Sequence, residues 1–189
     1  MSDAEIGELL KRLDAQQRTI DQLSARQDIL DCSHRFCRGI NRLDRDILRS
    51  AFHPDAADDH GIFRGGVEEL LDWIKSLYTN LRTTQHYVTN QTVELDGDVA
   101  HAEQYWFVTN VTHDSTTMML RGGRYVDRFE KRDGRWAIAE RACLSEWNVG
   151  SELIPMGPEA AAAFAEVGTI ARDRTDLSYQ RPLRVRRPA

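Results

Sequence analysis

The stretch from Gly122 to Asn148, GGRYVDRFEKRDGRWAIAERACLSEWN, decides the fold. Asp133-Gly134 near its middle supplies the positive φ that a tight hairpin turn needs. Before the turn, the alternation places Tyr125, Asp127 and Phe129 on one face of a strand. After it, the same rule groups Trp136, Ile138, Glu140, Ala142 and Leu144 on one face of the return strand. The stretch therefore predicts a long β-hairpin that covers either a plain core or a pocket.

The rest of the chain changes from helix-forming to strand-forming. Apolar residues three and four apart predict helices over 4–27, 28–43, 44–52 and 66–81. The third is expected to end at His53-Pro54, because a residue before proline avoids the helical conformation, and 55–65 to form a loop. Strand-like runs follow at 84–95, 99–112, 117–130 and 135–148. This order predicts an α+β fold in which a curved antiparallel sheet packs against the helices.

We expect three parts in the chain: an N-terminal amphipathic helix over 1–27, an α+β domain over 28–150, and a C-terminal helix with a basic extended tail over 151–189. The first helix is expected to lie on its own domain or on a neighbouring subunit, and the tail to extend as an arm. Exposed apolar sheet faces usually need a cover, so the chain is expected to self-associate as a dimer or trimer.

Composition excludes several classes of function. A net charge of −5 argues against nucleic acid as the main partner, and no apolar run approaches the length of a membrane span. The three cysteines and six histidines follow no metal-ligand spacing, so we expect no metal site. The charged N-terminal helix is not a secretory segment, and reduced thiols fit a cytoplasmic protein.

His86 is the strongest candidate for chemistry. It lies in TTQHYVTN, residues 83–90, where His86, Val88 and Asn90 share one strand face. An imidazole in an apolar pocket is suited to proton transfer near neutral pH. The alternative is a histidine at the sheet edge with satisfied hydrogen bonds.

The order of segments resembles the SnoaL-like branch of the nuclear transport factor 2-like superfamily. The resemblance covers about residues 25–148, and it is carried by 31–44, 52–56, 61–65, 84–90, 95–100 and 123–136. It implies a cone, a cystatin-like α+β barrel with a deep pocket at its wide end. It also implies similarity to cofactor-free lyases, among them scytalone dehydratase, bile-acid 7α-dehydratase, hexachlorocyclohexane dehydrochlorinase and the lignin diarylpropane lyases.

The resemblance places the catalytic histidine of these lyases at His86 and their aspartate at Asn41. An aspartate stabilises the imidazolium that forms, whereas an asparagine orients the ring but contributes no charge. The His86–Asn41 pair should therefore be a weaker base, suited to a substrate with an acidic proton such as a phenol. The alternatives are that His86 acts as a hydrogen-bond donor, or that catalysis has lapsed and the pocket only binds.

The expected pocket combines family positions with strand alternation. Its members are Phe36, Ile40, Asp59, His60, Trp73, Tyr78, Val88, Tyr105, Trp106, Val108 and Tyr125. Phe36 stands where the dehydratases often have tyrosine, so Tyr78, Tyr105 or Tyr125 is expected to supply the hydroxyl. Asp59 and His60 are expected on a loop at the mouth, and each aromatic side chain has a place in an ordinary core as its alternative.

Three strand arginines, Arg121, Arg124 and Arg141, have two interpretations. They either meet a substrate carboxylate or pair across the sheet with Glu103, Glu130 or Glu140, and we favour the pairs.

The sequence thus predicts a cofactor-independent lyase, a dehydratase or a formaldehyde-releasing enzyme, for a bulky hydroxylated aromatic or polycyclic substrate. Such an enzyme would serve the catabolism of aromatic compounds. The alternatives are a non-catalytic binding or assembly module of the same fold, and an isomerase with the same proton chemistry.

Overall fold

A computed structural model describes residues 1–114 and 116–186. Ser115, in the predicted turn at 113–115, and residues 187–189, at the end of the predicted tail, lie outside the described residues. The helices are α1 (Asp3–Arg42), α2 (Arg45–Arg49), α3 (Val67–Tyr78), α4 (Pro158–Ala165) and a short 3₁₀ helix (Leu177–Tyr179). The strands are β1 (Phe52–Asp59), β2 (Arg64–Gly66), β3 (Leu81–Asp96), β4 (Val99–Thr112), β5 (Thr117–Arg132) and β6 (Arg135–Glu152).

The strands form one sheet in the order β2-β1-β6-β5-β4-β3, with α1 and α3 packed against it. The α+β class is confirmed, and β3 to β6 form the predicted antiparallel meander. The prediction of a wholly antiparallel sheet is wrong, because β1 pairs in parallel with β6. The sheet is also open and not closed into a barrel.

Strand β1 replaces the end of the predicted third helix and most of the predicted loop. Helix α2 ends at Arg49, and Phe52–Asp59 is extended. Pro54 is tolerated because the pairing of β1 with β6 is irregular between Phe52 and Ala57, so its missing N–H breaks no regular ladder bond. As a consequence, the side chains of Ala56 and Asp58 point inward and are buried.

A β-bulge corrects the predicted face of the return strand. Phe129 pairs with Ile138 but Arg128 pairs with Glu140, so Ala139 is an extra residue in β6. The bulge reverses the alternation beyond it. Trp136 and Ile138 are buried as expected, but Glu140, Ala142 and Leu144 are exposed and Arg141 points inward.

Helix α1 is continuous where two helices were predicted. Its side chains are exposed up to Ser24, and from Ala25 onward one face of the helix is buried. The apolar side chains of the exposed half therefore do not pack on their own domain. Of the two positions expected for the first helix, on its own domain or on a neighbouring subunit, the first is thus wrong. No helix in 1–114 or 116–186 has the length and apolar character of a membrane span. The three-part division and the self-association stay predictions.

The core between helix α1 and the inner face of the sheet contains a charged pair as well as apolar side chains. Phe36, Ile29, Phe129 and Ile138 are fully buried, and beside them the Arg141 guanidinium donates two hydrogen bonds to Asp127, at 2.7 and 2.8 Å. Both side chains of this ion pair have 0% exposure. Gln104 donates a further hydrogen bond to Asp127 Oδ2 at 3.0 Å.

We predict that Asp127→Asn lowers the free energy of unfolding by about 3–5 kcal/mol, because it leaves the guanidinium of Arg141 buried without a counter-charge. Chemical denaturation measures the loss. Glu140→Gln is the matched control, because it also replaces a carboxylate by an amide. It removes the ion pair with Arg128, in which the side chain of Glu140 is 63% exposed. This change should lower the free energy of unfolding by less than about 1 kcal/mol. Equal effects of the two variants would contradict the argument.

Candidate active site

A cavity of about 270 Å³ lies between the C-terminal part of α1, helix α3 and the inner face of the sheet. Most of its wall is apolar, formed by Ile40, Ile62, Trp73, Ile74, Leu77, Trp106 and Val108. Its polar side chains are His60, Tyr78, His86, Arg121, Tyr125 and Ser145. Such a mostly apolar cavity with few converging polar groups is typical of a small-molecule site.

Strand β3 and the end of α1 bring His86 and Asn41 together. Asn41 Oδ1 accepts from the His86 backbone N–H at 3.0 Å and contacts the ring Nδ1 at 2.8 Å. Because a backbone N–H can only donate, the Asn41 atom at this position is the amide oxygen, and Nδ1 must carry the ring proton. The other nitrogen, Nε2, is therefore left as an acceptor, with the Tyr78 hydroxyl 3.4 Å away.

The surroundings of His86 favour its neutral form. Burial, followed by the positive charges of Arg121, Arg172 and His60, lowers the pKa of His86 from the ordinary 6.5 to about 3. Nothing among the groups that act on it raises the pKa. His86 is thus a neutral imidazole of fixed tautomer across the physiological pH range.

Two phenols in the cavity stay protonated. Burial raises the pKa of Tyr78, although Arg121 opposes the shift, and burial raises the pKa of Tyr125 well above its ordinary value. The cavity therefore offers hydroxyl groups that can donate hydrogen bonds.

A second imidazole, His60, enters the cavity directly after β1. Its Nδ1 makes a short hydrogen bond to Oδ1 of Asp58, whose side chain has 2% exposure. The ring lies 5.3 Å from Trp73 and 6.2 Å from Tyr125, measured between centroids. Sequence reasoning missed Asp58 because this segment was interpreted as a loop. The alternation of Ala56, Asp58 and His60 along β1 is the signal that would have found it.

The structure separates the predicted pocket residues into two groups. The cavity is lined by Ile40, His60, Trp73, Tyr78, His86, Trp106, Val108 and Tyr125, and Asn41 lies behind His86. Four others are outside the cavity and correct the expected set, namely Phe36, Asp59, Val88 and Tyr105. The catalytic role of His86 and Asn41 stays a prediction.

Each of the four displaced residues has a plain structural position. Phe36 is fully buried with its ring edge against Tyr125, and Asp59 ends β1 with an ion pair to Arg64. Val88 borders a separate groove beside α1. Tyr105 is 43% exposed, because the alternation of β4 places it opposite to Trp106.

The three strand arginines also differ from one another. Arg124 pairs with Glu103 and Glu146 on the outer face, and Arg141 pairs with Asp127 inside the core, not with a glutamate. Arg121 lines the cavity, where no ion pair of the described residues includes it.

The C-terminal segment closes the structure behind Asn41. The Arg172 guanidinium donates to the carbonyl oxygens of Ile40, Asn41, Tyr78 and Leu81. These carbonyls belong to the end of α1 and to the junction between α3 and β3, where helical partners run out. Arg172 therefore joins the two elements that hold Asn41 and His86.

Across the described ranges, no three His, Cys, Asp or Glu side chains are arranged to hold a metal ion. The polar side chains that line the cavity are suited to proton transfer by imidazoles, hydrogen bonding by phenols and charge stabilisation by Arg121.

We predict that the His86 imidazole resonances do not titrate between pH 5 and 8 in NMR spectra, because the pKa is near 3. Asn41→Asp should raise the pKa of His86, since a carboxylate beside the ring stabilises the imidazolium. A wild-type His86 that titrates near 6.5 would refute the assignment.

The same shift predicts how stability depends on pH. The pKa of His86 is lower in the folded chain than in the unfolded chain, so the folded chain binds fewer protons between about pH 6.5 and 3. The contribution of neutral His86 is complete above pH 6.5 and is lost as the pH falls toward 3. The free energy of unfolding, measured by denaturation, should therefore fall less on acidification in His86→Gln than in the wild type. Identical slopes of this free energy against pH in the two proteins would contradict the prediction.

Solved structures of other proteins share this fold. The hexachlorocyclohexane dehydrochlorinase LinA of type 2 has a TM-score of 0.67 and 23% identity, covering 74% of this chain and 97% of that one. A protein from Novosphingobium aromaticivorans, named as a candidate scytalone dehydratase, has a TM-score of 0.65 and 16% identity, over 74% and 96% of the two chains. A protein of unknown function from Mycobacterium tuberculosis has a TM-score of 0.61 and 27% identity, over 68% and 75%.

The sequence has no significant match among curated proteins. The model of the SnoaL-like domain matches residues 21–142, a range that contains both imidazoles, Asn41 and Arg121. With a match over more than half of its length, the chain belongs to the SnoaL-like domain family.

Proposed function

We propose that the protein is a cofactor-independent lyase that removes a proton next to a leaving group on a bulky, mostly apolar, hydroxylated substrate. The observation that carries the proposal is a single apolar cavity lined by two imidazoles with different partners. His86 is hydrogen-bonded to the neutral amide of Asn41, and His60 is hydrogen-bonded to the carboxylate of Asp58. The names of the structural neighbours, a dehydrochlorinase and a candidate dehydratase, support the same reaction class.

The surroundings of the two imidazoles, His86 and His60, are the basis for assigning a role to each ring. A base must be unprotonated before the reaction and an acid must be protonated, so two groups with opposed environments form an acid–base pair. His86 is neutral, and its Nε2 is free to accept a proton. His60, whose Nδ1 is hydrogen-bonded to Asp58 Oδ1, is the other imidazole of the cavity and takes the role of the acid.

The reaction balances without an external reagent. His86 Nε2 takes a proton from carbon, the electrons of the C–H bond form the new double bond, and the C–O bond breaks. The leaving oxygen takes its electron pair and a proton from His60, which gives water. Solvent then returns the proton from His86 to His60. The hydroxyl of Tyr78, 3.4 Å from Nε2, lies where it can orient the substrate.

The weak basicity of His86 restricts the substrates that this site can serve. An imidazole with a pKa near 3 is a poor base toward an ordinary C–H bond. A proton made acidic by a phenol or a conjugated carbonyl group removes part of this barrier. The proposed substrate class is therefore aromatic or conjugated polycyclic compounds.

The neutral His86–Asn41 pair also favours a second candidate, a non-catalytic protein that binds the same compounds. Both candidates need the open cavity, and neither Trp73 nor Trp106 fills it. They differ only in whether a bound compound is converted.

We predict that a mass-spectrometric screen of hydroxylated steroids, lignin-type diaryl diols and chlorinated rings detects loss of water, formaldehyde or hydrogen chloride with the wild-type protein. His86→Gln and His60→Gln should each lower kcat by about 10²–10⁴-fold, the usual contribution of a positioned acid or base. His34→Gln, which changes an exposed histidine of α1, should leave kcat unchanged.

Turnover that persists in His86→Gln would refute the role of that ring. Compounds that raise the melting temperature but are never converted would establish the binding protein instead of the lyase.

A further inference from the structure

Arg121 lines the cavity, and no acidic side chain of the described residues forms an ion pair with it. It lies on β5 in the inward-facing series of Tyr125, Asp127 and Phe129, and its half-buried side chain lines the cavity wall. No acidic residue among the described ones lines this cavity. Of the two buried acids in this part of the fold, Asp127 is paired with Arg141, and Asp58 is hydrogen-bonded through Oδ1 to His60 while its Oδ2 has no partner.

The hydrogen bonds of Arg121 go to neutral groups. Asn110, with its amide oriented to satisfy all its neighbours, accepts from Nη2 at 2.6 Å and donates to Thr84 Oγ1 at 2.6 Å. Nε is buried and has no hydrogen-bond partner. Asn110 is itself 3% exposed, so it holds the guanidinium in place without neutralising it.

The contrast with the other arginines of the hairpin is informative. Arg141 is buried with a carboxylate that makes two hydrogen bonds to it, and Arg124 is paired twice on the outer face. Burying a charge without a partner costs several kcal/mol. Arg121 is half-buried, its Nε is buried without a hydrogen-bond partner, and no acidic side chain lines the described cavity, so its counter-charge is expected from a ligand.

We propose that Arg121 forms an anion subsite in the cavity and that the physiological ligand is an aromatic or polycyclic carboxylate. The planar fork of a guanidinium matches a carboxylate with two parallel hydrogen bonds, and the apolar wall accommodates the ring system. This inference rests on the proposed function for the identity of the site, but it concerns binding and does not require turnover.

A bound carboxylate would also change the proton chemistry. The charge of Arg121 is the largest electrostatic cause of the lowered pKa of His86, after burial. A carboxylate on Arg121 offsets that charge, so the pKa of His86 should rise when the ligand binds. An acidic substrate would then improve the base that acts on it.

The test uses three probes that share one ring system: 2-naphthoate, 2-naphthamide and 2-naphthalenemethanol. Calorimetry and thermal shift with the wild-type protein should give 2-naphthoate a Kd at least about tenfold lower than either neutral probe, which corresponds to about 1.4 kcal/mol. Arg121→Gln should abolish the preference. Arg124→Gln, which changes an arginine of the same strand on the outer face, should keep it.

Equal affinity of the wild type for the carboxylate and the amide overturns the proposal, even if Arg121→Gln does not fold. In NMR spectra, the His86 resonances should titrate at higher pH with 2-naphthoate than with 2-naphthamide, and no difference would also overturn it. If the protein prefers the carboxylate but converts no compound, the proposed lyase activity is refuted and the anion subsite is supported. If turnover requires His86 but is unchanged by Arg121→Gln, the lyase activity is supported and the anion subsite is refuted.

Discussion

The buried ion pair between Asp127 and Arg141 is the constraint on which the rest of the structure depends. Two charged side chains with no exposure tolerate one register of β5 against β6, because a slip of one residue would turn one of them outward and leave the other buried without its counter-charge. The Arg141 guanidinium lies 4.2 Å from the ring centroid of Phe36 and 4.1 Å from that of Tyr125, so the same charge also holds the helix against the sheet. Since Tyr125 forms part of the cavity wall, the position of the cavity follows from that of the pair.

Local patterns of the sequence were sufficient for most of the fold. The helical spacing of α3 and the alternation of β3 to β6 were recognisable because each depends on neighbours in the chain. Strand β1 was not, since its partner β6 lies far away in the sequence and its Pro54 suggested a break. The bulge at Ala139 was also hidden, because one extra residue leaves the composition of a strand unchanged while it exchanges the two faces.

The candidate site also contains some residues that the sequence indicates and others that only the three-dimensional structure reveals. Strand alternation indicated His86, and the family resemblance indicated both His86 and Asn41, which are in contact in the structure. Asp58 depends on the recognition of β1, and Arg121 follows from the alternation that places Tyr125 inward, although its lack of an acidic partner emerges only in three dimensions. Arg172 has no local signal at all, because its four carbonyl partners lie on distant elements.

The position of Arg172 has a consequence for how the protein matures. The match to the family domain ends at residue 142, yet the carbonyl groups around Asn41 and Tyr78 obtain their donor from a residue beyond that domain. During synthesis from the N-terminus, α1 and the sheet leave the ribosome before this arginine does. These carbonyl groups therefore obtain this donor only after the whole family domain has been synthesised, so the nascent chain passes through a stage in which the contacts behind Asn41 are still incomplete.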